Sequence, residues 1–150
     1  TYVAMLEQGK PLTAYEAALR LRPDAGAAHV NAAMAQARMG NMAGAETSLR
    51  KARAIDPGNA ATAYNLGLVL AERGLRAEAA DQLLAALRLA PTMSEAAYNL
   101  GMLAAPKKKK KSLQFLCQAA RLQPENPRYA KALGQFSRNG SAGGVCEKIP

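Results

Sequence analysis

Tryptophan is absent from the chain, aromatic residues make up only 5% of it, and β-branched residues are scarce. Strands are built largely from those side chains, so a sheet protein is not expected. Long apolar runs are missing too. One of the longest, residues 66–71, contains Gly67 and falls far short of the roughly 20 residues that cross a bilayer. No charged-then-apolar leader opens the chain, so a soluble protein is expected. The sequence starts at Thr1, partway through its own repeat pattern; a piece of a longer polypeptide is expected, and the missing leader says little about compartment.

Residues that carry chemistry are equally sparse. His29 is the only histidine and has no cysteine or carboxylate at ligand spacing, so it is read as a packing residue. Cys117 and Cys146 have neither metal-ligand spacing nor the density of a disulfide scaffold. They are read as ordinary thiols, which makes a reducing compartment, the cytoplasm, the default. No phosphate-cradling glycine loop and no GxSxG turn occurs. Glu72, Glu78 and Asp81 fall on helix surfaces and turns, where solvated or paired charge is expected. No catalytic residue, metal site or cofactor is expected, and the chain is read as a non-enzyme.

What the chain does contain is repetition. Pro23, Pro57, Pro91 and Pro124 stand 34, 34 and 33 residues apart, each two places after a leucine or isoleucine. A fixed spacing of this size marks two-helix units stacked along one direction, each contacting mainly its neighbours. The best-formed unit spans residues 60–93. A helix passes through Ala63, Tyr64, Asn65, Leu66 and Gly67, a turn falls at Arg73-Gly74, and a second helix passes through Ala79, Leu83, Ala86 and Leu89. Gly67 and Ala86 are small where helices must cross closely, and Leu66, Leu70, Leu83 and Leu89 are expected to fill the space between them. Pro91 ends the second helix by removing a donor and restricting Ala90. Asn59 and Ser94 are expected N-caps. The preceding unit repeats this with Ala32-Ala33, Gly40-Asn41, Ala45, Leu49, Ala52 and Ile55, and the following one with Leu100-Gly101, Leu116, Ala119 and Leu122.

In Leu66-Gly67, Ala79-x3-Leu83, Ala86 and Pro91, and in its period, the chain resembles the tetratricopeptide repeat family over about residues 10–136. The resemblance implies an all-α fold, a right-handed α-solenoid of antiparallel helix pairs wound into a superhelix. It implies a solenoid over residues 1–138, with about three regular repeats, an irregular N-terminal unit and a C-terminal capping helix over 127–138. Residues 139–150 are expected to form a flexible tail. In the first unit, Gly9 and Pro11 crowd Pro23, so the helix near residues 12–22 is expected to be about a turn short. In the last full unit Pro106 and the lysines replace the glycine turn. Positive charge opposes the dipole at a helix N-terminus, so this stretch is expected to be a solvated loop.

Asn31, Asn65 and Asn99 also recur 34 apart, on the first helix of each repeat. An amide offers both donor and acceptor, so stacked repeats would present a row able to bond successive peptide groups of an extended ligand. The other reading is that asparagine recurs in the repeat framework and bonds locally. In the O-GlcNAc transferase members of the resembled family such a ladder holds substrate polypeptide. Helical periodicity places Val30, Tyr64 and Tyr98, then Met34, Leu68 and Met102, then Ala37, Ala71 and Ala105 beside the row. They would line a mostly apolar peptide-binding groove, or pack between repeats. Members that grip chaperone C-termini use lysine and arginine near the asparagines; Ala27, Val30, Met34 and Ala61 stand here, so no such clamp is expected.

Net charge is +9, of which Lys107, Lys108, Lys109, Lys110 and Lys111 supply five. Such a basic loop could attract nucleic acid, an anionic membrane or an acidic tail, but no stacking platform accompanies it, so a plain solvated run is favoured. The leading expectation is a protein-protein interaction scaffold holding a peptide or protein segment in a concave groove, its partner unidentified. A substrate-recruiting arm of a larger enzyme, such as a glycosyltransferase, is the alternative. Electrostatic binding of nucleic acid or membrane by the lysines is the weaker one.

Overall fold

The computed structural model describes residues 26–104, 108–136 and 144–148. The expectations for residues 12–22, and for Pro23, Ala105, Pro106 and Lys107, lie outside them. Every regular element among the described residues is helical: α1 (Gly26–Arg38), α2 (Met42–Ile55), α3 (Ala60–Glu72), α4 (Arg76–Leu89), α5 (Ser94–Ala104), α6 (Lys109–Leu122), α7 (Pro127–Gly134) and a 3-10 turn, Cys146–Lys148.

The prolines and asparagines set the helix boundaries. α2, α4 and α6 end two residues before Pro57, Pro91 and Pro124, where a ring without an N–H stops helix propagation. Asn59 Oδ1 accepts from Thr62 N at 3.1 Å and so caps α3. Asn41 caps α2 through Gly44 N at 2.9 Å, and Asn126 caps α7, with Pro127 in its first turn. Between paired helices, Gly40 and Gly74 adopt φ of 81° and 79°, a left-handed geometry that glycine enters without a side-chain clash.

By internal contacts the chain forms two compact units, Thr1–Gln82 and Leu83–Pro150. In the first, α1 packs on α2 and α2 on α3. The layer between them is thin because it is built from Ala32, Ala33, Ala45 and Ala52, with Leu49, Leu66 and Leu70 as its large side chains, all essentially inaccessible. Ser48 donates to Gln36 Oε1 at 2.9 Å between α2 and α1. In the second unit α6 packs on α5, on α7 and on the 3-10 turn. Gly101 is small for a measurable reason: a Cβ there would lie 2.7 Å from Leu116 Cγ and 3.1 Å from Ser112 O. Ser112, fully buried, donates its hydroxyl to Gly101 O at 2.7 Å.

Five expectations are corrected. Lys109, Lys110 and Lys111 are not in a loop; they form the first turn of α6. Three exposed lysines together cost a helix end roughly 1–3 kcal/mol, while burying Leu116 contributes roughly 1.5–3 kcal/mol and buried Cys117 and Ala119 on the same helix add to it. The packing also sets the helix start through the Ser112 bond. Ser94 does not cap α5 but lies within it, fully buried, because Tyr129 claims its hydroxyl. Leu89 is 44% exposed, since at 100° per residue it points about 90° away from the Ala79, Leu83 and Ala86 stripe. Cys117 and Cys146 are not free thiols: their Cα atoms are 5.4 Å apart and their sulfurs are bonded. That bond ties residues 144–148, read from sequence as loose tail, onto α6.

Candidate functional site

The three asparagines share one register. Asn31 is the sixth residue of α1, Asn65 the sixth of α3 and Asn99 the sixth of α5. In every case the third, fourth, seventh and eighth residues of the helix are buried: Ala28, His29, Ala32 and Ala33; then Thr62, Ala63, Leu66 and Gly67; then Ala96, Ala97, Leu100 and Gly101. His29 therefore packs in the interior. The fifth, sixth and ninth residues, which include all nine candidates, are left partly accessible. Fifth and ninth positions lie one turn apart on one side of a helix, so each first helix presents one aromatic or β-branched residue, one amide and one long apolar residue together. Val30, Asn31 and Met34 form the set on α1, Tyr64, Asn65 and Leu68 that on α3, and Tyr98, Asn99 and Met102 that on α5. Met102 is the most open of these apolar groups, at 39%.

The amides differ in what they already hold. Asn31 and Asn65 make no side-chain hydrogen bond among the described residues. Asn99 donates through Nδ2 to Glu95 O, one turn back, at 2.8 Å.

Tyr98 is engaged from within the fold. Its ring lies 5.2 Å from that of Tyr129, and the Arg128 guanidinium sits 4.9 Å from its centroid. α7 thus reaches the candidate face of α5, bringing a cation to it. Sequence reasoning missed this pair. Arg128 and Tyr98 are thirty residues apart in the sequence, and no repeat spacing connects them.

The lysines are held at the start of α6. Lys108 precedes the helix without a side-chain cap bond, Lys109 Nζ lies 5.9 Å from the centre of the Phe136 ring, and Lys108, Lys110 and Lys111 are exposed. Among the described residues no cluster of three or more histidines, cysteines or carboxylates could hold a metal. No helix there is long and apolar enough to cross a membrane.

A family model described as tetratricopeptide repeat matches residues 12–60 and 64–112. No curated protein sequence matches the chain. Among solved structures, a crystal structure of MamA is similar with a TM-score of 0.84 at 20% identity, over 98% of this chain and 81% of that one. MamA 41-end from Desulfovibrio magneticus RS-1 gives 0.82 at 23%, over 97% and 85%. PilF of Pseudomonas aeruginosa gives 0.78 at 26%, over 90% of this chain and 64% of that one. The MamA likenesses, at this identity, speak for the fold: an all-α helical-repeat solenoid.

Proposed function

Because the chain belongs to the tetratricopeptide repeat family, a family of protein-interaction scaffolds, we propose that it binds extended polypeptide on the open faces of its first helices, α1 and α3 in one unit and α5 in the other. The observation that carries this reading is the shared register: three helices leave the fifth, sixth and ninth positions accessible while burying the positions around them. Asn31 and Asn65, with their amide groups unspent, supply donors and acceptors suited to peptide groups. Val30, Met34, Tyr64 and Leu68 supply apolar contact, and methionine adapts to irregular surfaces. Binding through backbone amides selects extended conformation over sequence, and the apolar neighbours supply the preference among side chains.

The test starts from peptides selected on the chain from a random display library. Replacing Asn31, Asn65 and Asn99 together by alanine is expected to weaken the selected peptides at least about tenfold, the value of one to two neutral hydrogen bonds. Lys51→Ala, on an exposed part of α2, is expected to leave them unchanged. Undiminished binding by the triple variant, with helical content intact, would remove the ladder from the mechanism.

A further inference from the structure

Charge is divided unevenly along the chain. Residues 83–150 hold eleven lysines and arginines against three acids, a net +8 of the chain's +9, whereas residues 1–82 hold nine against eight. The first unit also pairs charges internally: Arg50 bridges Glu46 and Glu78, and Arg73 reaches Glu46. In the second unit Lys108, Lys110, Lys111, Arg128 and Lys131 are exposed and have no acidic partner among the described residues. Its acids are Glu95, which accepts from Ser94, and Glu125 and Glu147.

We propose that the second unit holds an acidic stretch of the bound polypeptide, gripped by Arg128 on the Tyr98 ring and by the lysines that open α6. The proposal rests on the polypeptide-binding reading above and names the chemistry of what is bound.

The geometry favours carboxylates. A guanidinium lying on an aromatic face is held in orientation and keeps its fork of N–H donors for a planar, two-oxygen acceptor. Arg128 has that arrangement on Tyr98, the neighbour of Asn99. Lys131 follows three residues later, on the adjoining surface of α7. Phe136, just past the end of α7, carries Lys109 and so draws the start of α6 to that end. The eight residues of α7 span about 12 Å, a distance that about four extended residues cover. Cations at both ends and between them match a run of acidic side chains, and the positive end of the α6 dipole adds to their field.

Two other polyanions fit less well. Single-stranded nucleic acid stacks successive bases on free aromatic faces, and here Tyr98 is taken by Tyr129 and Arg128, Phe136 by Lys109, and Tyr129 is buried, which leaves one half-buried ring, Phe115, among the described aromatic residues of this unit. A membrane surface needs apolar side chains beside the cations. The exposed large apolar residues among those described in this unit, Leu89 and Met102, lie on neither α6 nor α7.

The experiment uses the whole chain and fluorescence polarisation with a labelled peptide of alternating glutamate and glycine. Its glutamine counterpart, an oligothymidylate and phosphatidylserine vesicles are run beside it. The glutamate peptide is expected to bind at least about tenfold tighter than the glutamine one, and to weaken markedly between about 50 and 200 mM salt. Replacing Lys108, Lys110 and Lys111 together by glutamine is expected to cost about tenfold. Arg128→Gln is expected to cost a similar factor, and Arg128→Lys to recover only part of it because the planar fork is lost. Equal binding of the two peptides, unchanged binding by these variants, or tighter binding of oligothymidylate or vesicles overturns the proposal. Failure here is separable from failure of the scaffold reading. Library-selected neutral peptides that depend on the asparagines, with no glutamate preference, leave the scaffold and remove the acidic partner; lysine-dependent glutamate binding indifferent to the asparagines does the reverse to the ladder.

Discussion

Tyr129 donates its hydroxyl to Ser94 Oγ at 3.0 Å across 35 positions of sequence, and both side chains are buried. The bond fastens α7 to the first turn of α5, so the last helix is anchored through a polar contact as well as through Ala132 and Leu133. Tyr129→Phe is expected to destabilise the chain by about 1–3 kcal/mol, because it leaves a buried acceptor under-satisfied. Adding Ser94→Ala is expected to cost less than the two single changes summed. Urea unfolding of the four chains measures the coupling, and strict additivity would show that the bond contributes nothing.

Gly101→Ala sets two effects against each other. Alanine gains up to about 1 kcal/mol of helix propensity, but its Cβ would sit 2.7 Å from the Cγ of fully buried Leu116, and overpacking costs about 1–3 kcal/mol. A lower melting temperature is expected. Adding Leu116→Ala, which removes the clashing Cγ and Cδ2, is expected to cost less than the two single changes summed.

Gly74→Ala acts through backbone alone. With φ of 79° and no atom within 4 Å of an added Cβ, the penalty is the left-handed conformation itself, about 1 kcal/mol. Equal stability of the two chains in denaturant titration would contradict this. Gly40→Ala is expected to behave alike.

Gln82 Oε1 is buried without a hydrogen-bond partner. One repeat earlier, Ser48 occupies the equivalent place and bonds Gln36, but the counterpart of Gln36 is Leu70, which has nothing to donate. Gln82→Met keeps the length of the side chain and removes the orphaned oxygen, so a gain of about 1 kcal/mol is expected. A loss on thermal unfolding would show that the oxygen is satisfied by solvent.

Closing the loop between Cys117 and Cys146, 29 residues apart, is expected to stabilise the chain by about 3–4 kcal/mol on a chain-entropy argument. Dithiothreitol is expected to lower the melting temperature of the native chain and leave that of Cys146→Ser unchanged. Iodoacetamide is expected to label neither cysteine until the chain is reduced. Labelling beforehand would contradict the bond.

Legibility followed the range over which each signal acts. Pro57, Pro91 and Pro124 end helices wherever they stand, and Asn59 and Asn126 cap the helices that begin beside them; both effects lie within a few residues, so the sequence displays them. The buried seventh and eighth places of α1, α3 and α5 were readable for another reason, since a repeat shows the same constraint three times. Lys109, Lys110 and Lys111 were misread because their local electrostatics disfavour a helix end, while the packing that starts α6 there comes from Gly101 and Leu116.

Sequence alone determined the helical period, its breakers and the recurring amides, because backbone stereochemistry and 3.6-residue periodicity are written into neighbouring residues. Tertiary structure alone decided that Cys117 meets Cys146, that Ser94 serves Tyr129, and that Arg128 lies on Tyr98. Those pairs form where the regular repeat gives way to a final helix and tail. No period extends past that point, so only the folding of α7 and residues 144–148 onto the last repeat brings them within reach.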